Sequence, residues 1–376
     1  MVTVRSEAAK RMRIMINEIV GIALFLAILC WYQGCKDKGV EPKYDCPVPT
    51  DTTSHAFTWQ IDTLGQTGAS VLYDVAIVSE TEAWAVGEMY LPDSTGDIDP
   101  DAYNVAKWNG FSWTLHRIPV RDFGGATGSY PIQAVHAFGP NDVWLASAAD
   151  LIQWDGSAYA GKAFFMTSIP FEGQVLNMWG TSSTDIYCVG RNGSIYHFTG
   201  SSWRKLSSGT TINIQDIWGG VNCNGETEVL ALASTVFDPP PTQKKLLRIQ
   251  GITVTPFTDA GLIDILSSVW FVPGQRYYIG GDGIFRSEEF GDGWQQESYP
   301  PYYAFSVRGT AVNDIVVAGG FGFLSHFNGS TWRHYTQTGE LPSFDGNYYS
   351  VAISQRLVVA VGGVQSGPPI VVVGKR

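Results

Sequence analysis

The sequence predicts an all-β protein, a seven-bladed β-propeller with four antiparallel strands in each blade. Three observations predict it: a motif that recurs along the chain, seven similar apolar strands, and a spare strand that would complete the last blade. The motif reads W-N-G-F-S-W at 108–113, F-T-G-S-S-W at 198–203 and F-N-G-S-T-W at 327–332. Such internal repetition is typical of folds that stack copies of one small structural unit.

Each repeat begins with an apolar strand and continues through three more. The seven first strands are centred on Val75, Val135, Met178, Ile217, Val269, Val307 and Val351. A polar turn, a second strand such as A-W-A-V-G at 83–87 and a third strand follow, and the motif is the turn into the fourth strand. A sheet of four short strands cannot bury both faces alone, whereas radial stacking of several sheets buries them. We expect the motif glycine to adopt a positive φ, and the aspartate of N-D and T-D turns to bond its own backbone.

The tryptophans test this strand assignment, since each should fall on a strand. The chain has 13 tryptophans, and only Trp31 lies in the N-terminal apolar run. The rest are assigned to first strands (Trp179, Trp218, Trp270), second strands (Trp84, Trp144), third strands (Trp108, Trp154) and fourth strands (Trp59, Trp113, Trp203, Trp294, Trp332). The tryptophan that follows the motif glycine is expected to pack between neighbouring blades.

The two ends of the domain predict how the ring closes. The seventh repeat ends at P-I-V-V-V-G-K-R, 369–376, which supplies only a third strand. A spare strand, A-F-T-W-Q-I-D-T, lies at 56–63. We expect it to pair beside Ile370 to Val373, because this pairing removes an exposed sheet edge.

The first 35 residues have the character of an export signal. A positive start (Arg5, Lys10, Arg11, Arg13) precedes an apolar run from Ile19 to Tyr32. The run is shorter than the ~20 residues of a membrane span and suits a secretory signal. Gly34-Cys35 resembles a bacterial lipobox, which implies lipidation of Cys35; an uncleaved anchor or ordinary cleavage is the alternative. We therefore predict a signal peptide of lipoprotein type at 1–35, a flexible tether at 36–54 and a propeller at 55–376.

Composition narrows the class of partner. The 376 residues are 44% hydrophobic and 16% charged, which is globular composition, and the net charge is −11. The body has no basic cluster, so nucleic acid is not expected as a partner. We expect a monomer, lipid-anchored to the outer membrane or cell surface of a bacterial envelope, with an envelope protein or polysaccharide as partner.

Three cysteines follow the signal: Cys46, Cys188 and Cys223. An odd number offers no disulfide framework, so the sequence favours three free thiols. A Cys46–Cys223 bridge is the alternative, because an exported protein meets oxidising surroundings.

One repeat resembles a known motif. S-E-E-F-G-D-G-W at 287–294 resembles the Asp-box of sialidase-type propellers (BNR repeats), with Glu289 and Gly293 replacing its Asp and Thr. The wider repeat is similar to bacterial exported propellers akin to photosystem II assembly factors and, more distantly, to sortilin ectodomains. This resemblance implies the fold; it does not imply an activity, because one fold hosts many functions.

The sequence favours binding over catalysis. A sialidase-like site needs three arginines around a carboxylate and a tyrosine with an acidic partner, and no such set is evident; Arg308 alone is expected near the axial channel. The alternative is a carbohydrate-active enzyme, either a sialidase-like glycoside hydrolase or a glycosyl transferase. An enzyme of this kind would have acidic and basic side chains that converge at the upper mouth of the channel.

Aromatic residues concentrate in the connections that gather on one face of a propeller. These connections run from fourth to first strands and from second to third strands, and clustered aromatics suit a protein or glycan surface. The candidate ligand-binding residues are Phe123, Tyr130, Phe164, Phe165, Tyr302, Tyr303, Tyr348 and Tyr349. The alternative is that these rings pack against neighbouring loops.

A single stretch offers metal ligands. Asp97, Asp99 and Asp101, preceded by Asp93, present oxygen ligands of the kind that Ca²⁺ accepts. A solvated acidic loop is the favoured interpretation, because the EF-hand glycine and terminal glutamate are missing. His197 and His326 occupy matching third-strand positions, which favours packing over metal ligation. No other cofactor is predicted.

Overall fold

The computed structural model describes residues 46–66, 69–122, 125–147, 151–154, 174–236, 242–288, 291–297, 302–365 and 367–376. All of these belong to one compact unit, Asp45–Arg376. Within these ranges, no helix has the length and apolar character needed to cross a membrane. The predicted signal peptide, with Cys35, lies outside the described residues.

The strands follow the predicted repeat from its first unit to its fourth. Strand β1 (Thr58–Thr63) precedes blade 1, which is built from β2 (Val71–Ser79), β3 (Glu82–Met89), β4 (Tyr103–Trp108) and β5 (Trp113–His116). A small ribbon, β6 (Val120–Arg121) and β7 (Thr127–Gly128), leads to blade 2, described as β8 (Ile132–Gly139), β9 (Asp142–Ser147) and β10 (Leu151–Trp154). Blade 3 contains β11 (Val175–Ser182), β12 (Asp185–Gly190), a 3₁₀ turn (Arg191–Gly193), β13 (Ile195–Phe198) and β14 (Trp203–Leu206). Blade 4 contains β15 (Ile214–Val221), β16 (Thr227–Ser234), β17 (Lys244–Gln250) and β18 (Thr253–Phe257).

The last three units complete the ring. Blade 5 contains β19 (Leu266–Val272), β20 (Arg276–Gly281), β21 (Gly283–Ser287) and β22 (Gln295–Gln296). Blade 6 contains β23 (Ala304–Ala311), β24 (Asp314–Gly319), β25 (Leu324–Phe327) and β26 (Trp332–His334). Blade 7 contains β27 (Gly346–Ile353), β28 (Leu357–Val364) and β29 (Ile370–Lys375). Each blade is one antiparallel sheet, and the first strand of each contacts the first strand of the next, with β27 against β2. The chain is a seven-bladed β-propeller.

Ring closure follows the prediction. Strand β1 pairs antiparallel with β29, with Thr63 opposite Ile370 and Gln60 opposite Val373. The indole of Trp59 lies over Gly374, where an added Cβ would approach the ring to 2.4 Å. Glycine is therefore needed at that position of the closing blade.

The core lies between blades, as the tryptophan placement predicts. Separate apolar clusters fill the spaces between successive sheets, and Trp84, Trp108, Trp144 and Trp270 are fully buried in them. Every assigned tryptophan lies on its predicted strand except Trp294, which directly precedes β22 and donates its indole N–H to the Thr258 carbonyl at 3.0 Å. The Asp-box-like segment thus ends in a buried tryptophan, while Glu289 and Phe290 lie outside the described residues.

The glycines of the motif turns have the predicted positive φ, but the described aspartates of the N-D and T-D turns do not bond their own backbone as predicted. The motif glycines have positive φ, +97° at Gly110, +82° at Gly200 and +97° at Gly329. The aspartates of the other turns instead bond side chains on the third strand of their own blade. Asp142 accepts a bond from Gln153 at 2.8 Å, Asp185 lies 2.6 Å from His197, and Asp314 lies 2.8 Å from His326. Both histidines thereby serve cross-strand packing, and His197 also stacks on Tyr187 at 3.9 Å.

Candidate functional site

All seven first strands contain a bulge at the same place. The pairing register of each first strand shifts by one residue near its start, for example between Leu72 and Asp74 in blade 1. A bulge re-aims the extra residue, here toward the axis. The seven extra residues all line one cavity of about 190 Å³, which we call the mouth: Tyr73, Gln133, Leu176, Gln215, Ser267, Phe305 and Tyr349.

The mouth opens on the upper face, which we define as the face of the fourth-to-first and second-to-third connections. Since the bulges lie at the start of the first strands, their side chains stand where the chain arrives from those connections. The turns between first and second and between third and fourth strands form the opposite, lower face. A second cavity of about 170 Å³, lined in part by His136 and Trp218, lies toward the lower end of the channel.

A polar belt lies directly below the mouth. The residue after each bulge is polar in six blades, Asp74, Asn177, Asp216, Ser268, Ser306 and Ser350, and is Ala134 in blade 2. These side chains bond the first strand of the neighbouring blade. Asp74 accepts from the Val135 N–H at 2.9 Å, and Ser268 accepts from the Val307 N–H at 3.1 Å. Among the described strands, neighbouring first strands do not pair with each other through their backbones. The side chains of the belt therefore supply the hydrogen bonds that join one blade to the next near the axis.

One ion pair crosses the channel within the belt. Arg308 of blade 6 donates to both carboxylate oxygens of Asp216 in blade 4, at 2.9 and 3.0 Å, and stacks over Trp218. Burial alone would lower the pKa of Arg308, but the Asp216 carboxylate outweighs it and the pKa is raised. Burial, followed by the charge of Arg308, lowers the pKa of His136 to about 4, so the imidazole beside it is neutral.

Asp74 is the other carboxylate of the belt, and unlike Asp216 it receives its hydrogen bonds from neutral groups. Its carboxylate accepts from the Val75 N–H at 2.9 Å, the Val135 N–H at 2.9 Å and the Ser350 hydroxyl at 2.7 Å. Burial raises its pKa, although these hydrogen bonds and the charge of Arg308 oppose the rise. Within the described part of the chain, no lysine or arginine forms a salt bridge with it.

A groove on the upper face leads into the mouth. It lies between blades 6, 7 and 1, has a volume of about 490 Å³, and its lining includes Phe321, Asp345, Asn347 and Gln365. Tyr349 lines both the groove and the mouth, so the two are continuous. We call this depression the upper groove.

The side chain of Phe321 is exposed to solvent at the edge of this groove. It lies in the tight turn between β24 and β25, with φ of +56°, and its side chain is 62% exposed. A bulky residue rarely adopts a positive φ, and an outlier of this kind points to a functional constraint. Its ring lies 6.2 Å from that of Tyr302.

The lower face is crossed by the N-terminal segment 46–57, which we call the strap. A disulfide joins Cys46 to Cys223 in the first turn of blade 4. Further along, the Pro47 carbonyl accepts from Gln275 of blade 5 at 3.0 Å, and Asp51 accepts from Asn313 of blade 6 at 3.1 Å. The strap thus passes blades 4, 5 and 6 before entering blade 7 as β1.

The strap corrects one prediction and bears on another. The expectation of three free thiols is wrong, since Cys46 and Cys223 are bonded and Cys188 alone is free among the described cysteines. The bridge that forms is the alternative considered from the sequence, Cys46–Cys223, across a separation of 177 residues. Hydrogen bonds and the disulfide hold the chain to the propeller from Cys46 onward, within the predicted tether 36–54, whose bounds stay a prediction.

The strap is secured at blade 6 by a cluster of charged and imidazole groups. Asp314 is buried and accepts from Arg376 at 2.7 Å and from His326 at 2.8 Å. These contacts outweigh burial and hold the pKa of the Asp314 carboxyl well below its usual range. The other ring nitrogen of His326 lies 2.8 Å from Nδ1 of His55 in the strap.

The predicted aromatic residues separate into two groups. Tyr302, Tyr303 and Tyr349 are half-buried on the upper face, and Tyr303 and Tyr349 each pack against Phe305, at 4.6 and 5.3 Å between ring centroids. Tyr348 is fully buried against Phe344 and is not a surface residue, because alternate residues of a strand face opposite sides.

The other predicted rim residues contribute less. Tyr130 is half-buried in the core between blades 1 and 2, where its carbonyl accepts from Asn104 at 2.9 Å. Phe123, Phe164 and Phe165 lie outside the described residues.

The acidic loop of blade 1 is arranged through its own hydrogen bonds. Asp93 accepts from the Thr95 hydroxyl at 2.6 Å, and Asp99 pairs with Arg117 at 2.6 Å while accepting from the Asp101 N–H. In the described ranges no three His, Cys, Asp or Glu side chains are grouped to hold a metal ion. Calcium binding by Asp97, Asp99 and Asp101 stays a prediction.

The mouth also bears on the enzyme alternative. Its seven bulge residues include no carboxylate and no basic side chain, and in the described residues lining the cavity Arg308 is the single cation, already paired with Asp216. The sequence analysis missed Tyr73, Phe305 and Asp74. Their signal was their place in the repeat, two residues before the first-strand centre for Tyr73 and Phe305 and one residue before it for Asp74, and only the bulge reveals which of them face the axis.

Comparison with known proteins supports the fold and does not identify a family or a function. No model of a known protein family matches the chain, and no curated protein is significantly similar in sequence. A solved structure of YCF48 bound to a D1 peptide is 16% identical, with a TM-score of 0.62, over 87% of this chain and 100% of that one. YCF48 from Cyanidioschyzon merolae is 14% identical (TM-score 0.55; 84% and 98% covered), and the WD40 propeller of Doa1 is 14% identical (TM-score 0.58; 85% and 97% covered). The similarity to YCF48 supports the predicted resemblance to photosystem II assembly factors at the level of fold.

Proposed function

We propose that this protein is a non-catalytic recognition module that binds a partner protein on its upper face. The observation that carries the proposal is the continuity of the upper groove and the mouth through Tyr349, with Phe321 exposed beside them on strained backbone. A groove with an exposed aromatic anchor fits an extended segment of a partner. YCF48, a propeller of similar shape, was solved with a bound peptide, which supports this use of the fold.

The position of the strap supports a proposal for which face of the propeller points toward the membrane anchor. It occupies the lower turns of blades 4 to 6 and reaches its disulfide on that face, so the upper face is free of it. We propose that Cys35 is lipidated and that the anchor attaches through the lower side, in a bacterial envelope. The disulfide is consistent with export, because such bonds persist in oxidising compartments. The protein would then act as an anchored monomer that displays its upper face.

Site-specific photo-crosslinking in native cells tests the proposal. The photoreactive analogue benzoylphenylalanine would replace Phe321 on the upper face or, as a matched control, Phe111 in a lower turn, which is 81% exposed. We expect a discrete cross-linked protein from position 321 and not from position 111. Identical products from both positions, or products from position 111 alone, would contradict it.

A further inference from the structure

We propose that the partner segment carries a lysine or arginine whose cationic head enters the mouth, between Tyr73, Phe305 and Tyr349 and above Asp74. This inference rests on the proposed function, since it names the chemistry that the upper face selects. It concerns a site defined by the bulges of three consecutive blades, 6, 7 and 1.

The aromatic residues of the mouth lie together on one side. Phe305, Tyr349 and Tyr73 come from blades 6, 7 and 1, which are adjacent in the ring, whereas Gln133 and Gln215 come from blades 2 and 4. The rings of Phe305 and Tyr349 are 5.3 Å apart with an interplanar angle of 78°, so they present surfaces in different directions. The face of an aromatic ring attracts an ammonium or guanidinium group, and these three rings line one cavity.

These rings are fixed by contacts outside the mouth. Tyr73 donates its hydroxyl hydrogen to Glu88 at 2.8 Å, and Glu88 also accepts from Tyr90 at 3.1 Å. Tyr349 accepts from Asn347 at 3.3 Å, and Phe305 packs against Tyr303. The site is therefore formed before a ligand arrives, which reduces the entropy lost on binding.

Asp74 supplies the counter-charge. It lines the mouth, its three hydrogen bonds come from neutral groups, and no described lysine or arginine forms a salt bridge with it, although the charge of Arg308 favours its ionised form. Asp216, by contrast, is paired with Arg308. A cation in the mouth would add to the charge of Arg308 in favouring the ionised form of Asp74, against the burial that raises its pKa.

The residues that line the upper groove and the mouth carry a net negative charge, as Asp74 does. The described residues that line the groove and mouth include three carboxylates, Asp74, Asp216 and Asp345, and one cation, Arg308. This excess of negative charge favours a basic segment and disfavours an acidic one. Phe321 and Tyr302, at the groove, would contact apolar residues beside the lysine or arginine.

A random octapeptide display library is the probe, selected on the full-length protein in detergent micelles. We expect lysine or arginine to be enriched at one position, next to an apolar residue. Resynthesis of a selected peptide with norleucine at that position should weaken its Kd about tenfold, the size of a desolvated cation–aromatic contact with charge assistance.

Two variants locate the binding pocket. Asp74→Asn removes the counter-charge, and Tyr349→Leu removes a ring without touching the belt, so the second remains informative if the first fails to fold by thermal melting. Each should bring the lysine peptide close to the affinity of the norleucine peptide. Phe111→Leu on the lower face is the control and should leave both affinities unchanged.

The outcomes separate this inference from the proposed function. Selection of neutral or acidic peptides, or equal Kd values for the lysine and norleucine peptides, would overturn the inference and leave partner binding intact. A library that yields no peptide while position 321 still cross-links a protein would also overturn it. Loss of the cross-link would remove the proposed function itself.

Discussion

Arg308 and Asp216 join two blades that are not neighbours. Arg308 lies on β23 of blade 6 and Asp216 on β15 of blade 4, and two N–H groups of the guanidinium reach the two carboxylate oxygens at 2.9 and 3.0 Å. Ser268 of the intervening blade donates to the same carboxylate at 2.8 Å. Three consecutive blades are thus held by one buried anion at the axis.

Arg308→Met should destabilise the ring. Asp216 would remain 3% exposed with its negative charge uncompensated. Removing one partner of a buried ion pair costs about 3–5 kcal/mol, so we expect a loss near the lower end, because Ser268 and backbone N–H groups still bond the carboxylate. The free energy of unfolding in urea measures this.

Arg333→Met provides the matched control. Arg333 pairs with Glu340 at 2.7 Å, but both side chains are substantially exposed, at 45% and 30%. An exposed pair contributes about 0–1 kcal/mol. Equal losses for the two substitutions would show that the axial pair has no special role.

The disulfide should stabilise the propeller through the strap. A bridge over 177 residues restricts the unfolded chain strongly, and loss of such a bond typically costs about 2–5 kcal/mol. We expect dithiothreitol to lower the Tm of the native protein and to expose the strap near Cys46 to limited proteolysis.

A Cys46→Ser/Cys223→Ser double variant distinguishes the bridge from other effects of the reductant. Its Tm should already be low and should not respond to dithiothreitol, since Cys188 is buried and unbonded. A native Tm that is the same with and without reductant would contradict the stabilising role of the bridge.

The sequence predicts the fold well because the fold is local and repeated. The strand centres at Val75, Val307 and Val351 and the glycine turns are local patterns, and the closing strand is evident because the last repeat lacks a fourth strand while a spare one precedes the first. Each blade repeats the same apolar and turn chemistry, so an error in one unit is corrected by the others.

The site was less predictable because it depends on register and on distant contacts. Tyr348 and Tyr349 are adjacent in sequence, yet one is in the core and the other faces the mouth, and only the bulge decides which. The Cys46–Cys223 bridge was only the alternative to three free thiols, and Arg308 meets Asp216 across a separation that carries no local pattern. Such pairings become visible only when the ring is assembled.

The strap contact at His55 should make stability fall in acid. Partial burial, then the nearby His326 and Arg333, lower the pKa of His55 from 6.5 to about 4. In that window the unfolded chain binds a proton at this position and the folded chain does not, so stability decreases as the pH falls from 6.5 toward 4. Tm measured across this pH range tests the sign.

His55→Asn isolates the contribution of this residue. An amide does not titrate here, so the variant should lose less Tm than the native protein between pH 6.5 and 4. Some slope should remain, because burial also lowers the pKa of His136 to about 4. Parallel Tm curves for the two proteins would show that His55 does not contribute.

Phe321→Asn should raise stability and weaken partner binding together. The native φ of +56° is costly for phenylalanine, about 1–2 kcal/mol, and is tolerated by asparagine, whereas the exposed ring contributes little to the core. We therefore expect an increase in the free energy of unfolding of up to about 1 kcal/mol, and weaker capture, by affinity pull-down, of the protein that cross-links from position 321.

Asn192→Phe is the reciprocal control, because Asn192 has the same φ of 56° at an exposed turn in blade 3, away from the upper groove. That substitution should lower stability and leave partner capture unchanged. If Phe321→Asn instead lowers stability, then Phe321 packs as part of the fold and its exposure does not mark a binding surface. A gain in stability with binding intact would assign the strain no role in recognition, and the partner would then have to be held by Tyr349 and the mouth alone.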